Sequence, residues 1–240
     1  MKTNHLLVAL GTLFASTAAF GCSGDSELEG NGKAVTEVRT AEQFVRIENR
    51  GTFDVIVTPG PAFGVTLDVD ENLVQKIVTT VVDGTLVLES TEPIDPEIEG
   101  PSVTVTLPSL EQVVVTGTGD VDITQFAHPN PIRLVVTGTG DIDFHGSTPQ
   151  LFVDSTGDGD VELFGTADRV DFVLGSTGDI DGEDLIAKAG AVTLTGAGDL
   201  SATVQETIDV TSRGSGDVEV YGSPTVGTMV KEGSGQVTVR

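Results

Sequence analysis

One glycine-rich motif recurs seven times between residue 116 and the end of the chain. Most copies read Thr-Gly-x-Gly-Asp, and each is followed by a short run in which apolar and polar residues alternate. The second glycine of the motif falls at positions 119, 140, 159, 178, 198, 216 and 235, so that successive copies lie 18 to 21 residues apart. A period this regular indicates a solenoid in which every copy builds the same unit.

Each repeat contains two alternating segments separated by the glycine corner, as residues 132–136 and 142–144 illustrate. Alternation with a period of two is typical of strands that bury one face. Two or three short strands in about 19 residues match one coil of a parallel β-helix, whereas a propeller blade needs about 40 residues. We expect the corner glycines to adopt positive φ, because the backbone turns sharply there.

The alternation also predicts which side chains point into the solenoid. Residues at equivalent positions of successive coils should stack as two apolar ladders. The first predicted ladder is Leu134, Val153, Phe172, Val192, Val210 and Met229. The second is Val121, Ile142, Val161, Ile180, Leu200, Val218 and Val237.

The residues before the repeat predict a less regular, β-rich region. Asp83-Gly84, which lies between two apolar runs, is typical of a tight β-hairpin. Thirty glycines and many β-branched residues favour strands over helices throughout the chain. The predicted fold is therefore all-β: a single-domain parallel β-helix over residues 109–240, with an irregular β-rich part at residues 37–108.

Residues 1–21 predict a secretory signal peptide. A weakly basic start at Lys2 precedes an apolar run too short to span a bilayer, and Ala19-Phe20-Gly21-Cys22 resembles a bacterial lipobox. Cys22 is the only cysteine, so the fold cannot depend on an internal disulfide. We expect lipidation of Cys22, with residues 22–36 as a flexible tether. Ordinary cleavage that leaves a free thiol is the alternative.

The formal net charge is -25, from 37 acidic and 12 basic side chains. Charge of this sign repels nucleic-acid phosphates and anionic lipid head groups, which are bound by Lys and Arg. Nucleic acid is therefore excluded as a partner, and contact with a membrane is expected through the lipid anchor.

Acidic residues follow the corner in two outward columns. The motif Asp starts the first column, and an acid two residues later lies on the same face. Coils stack about 4.8 Å apart, so the carboxylates repel each other unless cations bridge them. The candidate calcium ligands are Asp120, Asp122, Asp141, Asp143, Asp160, Glu162, Asp179 and Asp181. In the alternative, the first Asp accepts backbone N–H bonds at its own corner and the second is solvated.

Paired carboxylates such as Asp120 with Asp122 are also the groups that glycoside hydrolysis requires. The pairs recur in nearly every coil, however, whereas an active site is singular. Tyr221 is the only tyrosine, and the chain has no tryptophan to stack on a sugar. We therefore assign no catalytic residue, and a carbohydrate-active enzyme or carbohydrate-binding module stays as the alternative to a binding or structural protein.

Several pieces of sequence occur in an order that resembles a known family. They are Phe44-x-x-Ile47-x-x-x-Gly51-x-x-Asp54-Val55, Asn72-Leu73, Gly84-x-Leu86, Leu107-Pro108-x-Leu110 and the Gly-x-Gly-Asp copies. Over residues 41–240 the chain is similar to the putative auto-transporter adhesin, head GIN domain family. The last copy departs from the pattern, with Glu232 and Gln236 in place of Thr and Asp.

The resemblance implies a right-handed β-helix in an extracytoplasmic protein, often a lipoprotein, with an adhesin-like shape. It predicts an exported cell-envelope protein that is lipid-anchored to a bacterial membrane, either the outer membrane or one facing the periplasm. Such a protein would bind a cell-surface protein or glycan, or serve a structural role, without catalysis.

Overall fold

The structure is a computed structural model that describes residues 27–100 and 102–240. The predicted signal peptide and Cys22 lie outside this part of the chain. Within it, the only regular secondary structure is β-strand. The strands are β1 (Leu28–Glu29), β2 (Ala34–Arg39), β3 (Arg46–Asn49), β4 (Val55–Pro59), β5 (Gly64–Asp70), β6 (Ile77–Val82), β7 (Thr85–Ser90), β8 (Ile94–Asp95), β9 (Val103–Leu107), β10 (Gln112–Val115), β11 (Val121–Ala127), β12 (Ile132–Val136), β13 (Ile142–Ser155), β14 (Val161–Leu174), β15 (Ile180–Leu194), β16 (Leu200–Ser212), β17 (Val218–Tyr221), β18 (Thr225–Lys231) and β19 (Val237–Val239).

From β10 onward the chain winds as a β-solenoid of about seven turns, in which two stacks of parallel strands run along the molecule. In the middle coils a single strand of 13 to 15 residues supplies a segment to both stacks. The predicted all-β, parallel β-helical fold is confirmed. Because equivalent residues of neighbouring coils pair in register, the repeat in the sequence becomes a repeat in space.

Both predicted apolar ladders are confirmed by the strand register. Phe172 pairs with Val153 on one side and with Val192 on the other, and Ile180 lies between Val161 and Leu200 in the second stack. These side chains are buried. The last coil is the exception, because Met229 is 45% exposed although it extends the first ladder.

The solenoid also extends in front of the repeat. Strands β3 and β4 form a coil that pairs in parallel with β10 and β11 on one side and with β7 and β9 on the other. The order of coils in space therefore differs from their order in the chain. Residues 60–111 leave the first coil, build a coil outside it, and return to its opposite side.

Antiparallel strands cover the N-terminal end of the solenoid. β2 pairs with β5, β5 with β9, and β6 with β7. The β6–β7 hairpin turns at Asp83 and Gly84, both with positive φ, as the sequence predicts. We call β2 and β5 to β9 the N-terminal cap.

Part of the segment predicted as a flexible tether is folded. Leu28 and Glu29 in β1 pair with β8, and β2 starts at Ala34 and pairs along its whole length with β5. The prediction of a free tether over residues 22–36 is therefore wrong for these strands. The backbone groups of β1 and β2 form hydrogen bonds with strands that lie much later in the sequence.

The corner glycines do not adopt positive φ, so that prediction was wrong. The described glycines with positive φ are Gly32, Gly84, Gly100, Gly165 and Gly222, and none belongs to the motif. Instead, a Cβ on Gly138 would lie 2.1 Å from the carbonyl oxygen of Gly117, and one on Gly159 would lie 2.2 Å from that of Gly140. Glycine is required because the backbones of adjacent corners stack in close contact.

Candidate binding surfaces of the solenoid

Each motif Asp accepts a hydrogen bond from the next coil. The Oδ1 atom of Asp120 accepts the N–H of Asp141 at 2.9 Å, and that of Asp141 accepts the N–H of Asp160 at 2.7 Å. The same bond continues through each later coil. The full set of acceptors, which we call the aspartate ladder, is Asp54, Asp120, Asp141, Asp160, Asp179, Asp199 and Asp217.

The aspartate ladder gives the first acidic column a structural role. The sequence-based alternative placed the N–H donor in the corner of the same coil, whereas the donor belongs to the following coil. Asp217 accepts from Gln236 at 2.7 Å, and no described coil follows Gln236.

Asp54 is a member of the ladder that the repeat did not reveal. Its Oδ1 accepts the N–H of Asp120 at 3.1 Å, although it lies 66 residues earlier in the chain. The signal that could have found it is the Asp-Val pair at 54–55, which matches the Asp-Val pair at 120–121.

The second acidic column is more varied. Asp143 pairs in register with Asp122 and Glu162, and Asp181 accepts hydrogen bonds from the Ser201 hydroxyl at 2.6 Å and from the Glu183 N–H at 3.0 Å. Partial burial raises the pKa of Asp143, and the charges of Glu162 and Asp122 raise it further. The ionised column therefore carries a repulsion that protonation or substitution by an amide would relieve.

Partial burial likewise raises the pKa of Asp141. The hydrogen bond from the Asp160 N–H lowers this pKa, while the charges of Asp120 and Asp160 raise it. Asp141 is thus held as a backbone acceptor within a column of like charges.

Calcium binding to the eight candidate ligands stays a prediction. Among the described residues, no group of three or more His, Cys, Asp or Glu side chains is arranged to hold a metal ion. One oxygen of each ladder Asp is already committed to a backbone N–H. A larger rise in melting temperature with Ca²⁺ than with Na⁺ at equal ionic strength would reveal coordination, because screening alone acts alike in both salts.

A lateral groove of about 510 Å³ crosses five successive coils. It starts at His128, whose ring lies 2.9 Å from the Ser109 hydroxyl, and runs past Thr166 and Ile186 to Gln205. Ile186 is 45% exposed in it. The groove is open and elongated and is lined by both polar and apolar side chains, which suits an extended ligand better than a compact one.

A stacked aromatic pair lies beside this groove. The rings of His145 and Phe164, on adjacent coils, are 4.4 Å apart and inclined by only 3°. They line an open hollow of about 350 Å³ that shares Ser147 with the lateral groove. An apolar platform therefore adjoins the lateral groove on one side of the solenoid.

The acidic side carries a smaller hollow than the lateral groove. A hollow of about 280 Å³ is lined mainly by carboxylates of three successive coils, including Asp181, Asp199 and Asp217. The same acidic arrangement recurs from coil to coil. Taken together, an elongated solenoid with open lateral surfaces is the architecture of an adhesin-like protein.

The sequence places the chain in a family of that class. Residues 43–224 match the family described as "Putative auto-transporter adhesin, head GIN domain". Because the match covers most of the chain, the chain belongs to this family. The predicted resemblance is confirmed, and the adhesin description implies an extracytoplasmic protein.

Solved structures show the same fold. A putative adhesin from Bacteroides fragilis is 26% identical, with a TM-score of 0.81, and the alignment covers 89% of this chain and all of the other. A putative lipid binding protein from Parabacteroides distasonis is 20% identical, with a TM-score of 0.70 over 90% of this chain and all of the other. A putative adhesin from the same organism is 19% identical, with a TM-score of 0.65 and the same coverage. No curated protein matches the chain.

Across residues 27–100 and 102–240, we find no helix with the length and hydrophobicity needed to cross a membrane.

Proposed function

We propose that this protein is an exported lipoprotein, tethered through Cys22 to a membrane of the bacterial envelope, that binds a cell-surface partner without catalysing a reaction. The family and the fold support an adhesin-like role. The signal-like segment ending at Cys22 supports the anchor.

The lateral groove is the observation that carries the binding proposal. Thr166, Ile186 and Gln205, from three successive coils, are exposed along it, and Lys188 pairs with Asp168 at 2.6 Å on its rim. A rigid groove of this kind can hold an extended chain at little conformational cost. The His145–Phe164 platform beside it favours a glycan over a purely charged ligand.

Binding can be tested with the Cys22→Ala protein on glycan and extracellular-matrix arrays. For any ligand found, Ile186→Arg should weaken binding at least tenfold, because it places a charge inside the groove. Val173→Arg is the matched control, since Val173 is 41% exposed but does not line the groove. Equal losses in both variants would contradict the assignment of the groove.

The anchor can be tested separately by labelling cells with a fatty-acid analogue. The wild-type protein should incorporate the label and fractionate with membranes, whereas Cys22→Ala should do neither. Membrane fractionation of an unlabelled Cys22→Ala protein would contradict the proposed anchor.

One observation favours the enzymatic alternative: Asp141 and Asp143 lie two residues apart, and the pKa of each is raised. A glycosidase needs a carboxyl group that is protonated near neutral pH. Against this role, Asp141 is engaged by the Asp160 N–H, and the hollow next to Asp143 is only about 240 Å³ and open. Hydrolysis of a glycan by the wild type, lost in Asp143→Asn, would establish the enzyme instead.

A further inference from the structure

The two ends of the solenoid differ in whether other strands cover them. At the N-terminal end, antiparallel strands of the N-terminal cap cover the first coils. At the other end, which we call the tail, the pairing partners of β18 and β19 among the described residues all belong to the preceding coil. Edge strands of this kind leave backbone N–H and C=O groups free to pair with another strand.

The tail also exposes the end of the apolar core. Met229 is 45% exposed and Val226 is 38% exposed, whereas Val210 of the preceding coil is completely buried. Val237 and Val239 are only half-buried. Terminal coils of solenoids normally need a polar outer face, so the exposed apolar tail indicates an interaction surface.

The charge of the tail differs from that of the rest of the chain. The two acidic columns continue through Asp217 and Glu219 but end in neutral residues, Gln236 and Thr238. The last coil, residues 225–240, holds two basic side chains and one acidic side chain in a protein of net charge -25. The tail is thus the part of the solenoid that another copy can approach without strong repulsion.

We propose that the tail binds the tail of a second copy of this chain, with twofold symmetry. A parallel continuation of the solenoid is not supported, because position 236 holds Gln where the preceding coils present a ladder Asp, and the opposite end is covered by the N-terminal cap. A twofold axis perpendicular to the solenoid axis brings β18 antiparallel to β18 or β19 of the partner. Symmetric dimers of this kind bury the same surface on both copies.

The orientation of the dimer determines where the two anchors point. This step rests on the proposed function. The first described strand, β1, pairs with β8 of the N-terminal cap, so the described chain begins far from the tail. Two copies joined at their tails therefore direct their anchors away from each other. The contact could join two membranes rather than two neighbours on one membrane.

Sedimentation equilibrium of the Cys22→Ala protein tests the dimer. The average mass should rise from monomer to dimer across the micromolar to millimolar range, because one coil end makes a small interface. Val226→Lys and Met229→Lys should each weaken dimerisation at least tenfold, and Val173→Lys should have no effect. Circular dichroism checks that each variant is folded. A wild type that stays monomeric, including one that binds vesicles or other proteins as a monomer, would overturn the proposal, as would equal weakening by Val173→Lys.

A second measurement separates the dimer from the anchor. Lipidated protein in phosphatidylcholine vesicles should cluster them, as measured by light scattering, and Met229→Lys should abolish clustering. If the protein dimerises in solution but does not cluster vesicles, the proposed tail contact stands and the proposed bridging of two membranes is wrong.

Discussion

The first coil and the repeated coils make the same corner with different chemistry. In the first coil, buried Asn49 donates to the carbonyl groups of Phe53 at 3.2 Å and Gly119 at 3.0 Å, and accepts the Gly51 N–H at 3.1 Å. In the next coil the position of Asn49 is taken by Val115, whose backbone carbonyl accepts the N–H groups of residues 137 and 138. A corner between identical neighbours can therefore be built from glycine, whereas the first corner needs a side chain to join dissimilar neighbours.

The first corner also supports the repeat that follows it. Thr116 and Gly117 donate their N–H groups to the Asn49 carbonyl at 2.9 and 3.1 Å. Asn49 thus links the irregular N-terminal region to the first glycine corner. The predictions below test this division between side-chain and backbone corners.

The largest effect should come from the core of a middle coil. Phe172→Ala should lower the free energy of unfolding by about 3–5 kcal/mol, because the cavity removes contacts on both neighbouring coils. The outward variant Asp181→Asn should be nearly neutral, since an amide oxygen can still accept from Ser201. Denaturant melts that rank the two variants in the opposite order would show that the inward and outward faces are misassigned.

The second largest loss of stability should come from removing the Asn49 side chain at the first corner. Asn49→Ala leaves buried backbone groups of Gly51, Phe53 and Gly119 without their partner, which should cost about 1–3 kcal/mol for each group left unsatisfied. Hydrogen exchange should show the loss first at the Gly51 amide, because the Asn49 side chain is its acceptor. Protection of this amide equal to that of the wild type would mean that the Asn49 side chain does not hold the corner.

The backbone corners should tolerate alanine only where space allows. Gly159→Ala should cost about 1–3 kcal/mol, because the coils must separate to admit a methyl group. Gly175→Ala is the matched control: its Cβ would lie 3.6 Å from the nearest atoms, and its φ is not positive. Equal thermal stability of the two variants would contradict close stacking as the reason for the glycines.

The aspartate ladder should contribute less, because its bonds are exposed to water. Asp160→Asn keeps an oxygen that can accept the Asp179 N–H and removes a repelling charge, so it should match or exceed the wild type in stability. Asp160→Ala removes the acceptor and should fall below Asp160→Asn by about 1 kcal/mol. Chemical denaturation of the pair measures this difference, and equal values would remove the ladder from the stabilising interactions.

The smallest predicted effect concerns pH. Since the pKa of Asp143 is raised in the folded state, the folded chain keeps a proton that the unfolded chain has lost between the ordinary and the raised pKa. Its contribution to stability therefore rises as the pH falls through this window and is lost as the pH rises above it. Asp143→Asn should be more stable than the wild type at neutral pH, with the difference shrinking as the pH falls. A difference that grows on acidification would contradict the raised pKa.

The sequence by itself determined the solenoid, both apolar ladders and the Asp83-Gly84 hairpin. These features follow from local alternation, from a repeat that sets each coil on a similar one, and from turn chemistry confined to two residues. The two acidic columns were visible for the same reason. The lateral groove was not, because its lining residues come from five coils and share no repeated pattern.

The tertiary structure alone decided which partners satisfy the backbone. Val55 lies between Val103 and Val121 although it stands outside the glycine repeat. Each ladder Asp accepts an N–H hydrogen bond from the next coil. The corner glycines are needed because a carbonyl group of the preceding coil leaves no space for a side chain. Such contacts join residues that are distant in sequence, and only the folded chain brings their atoms within hydrogen-bonding or van der Waals distance.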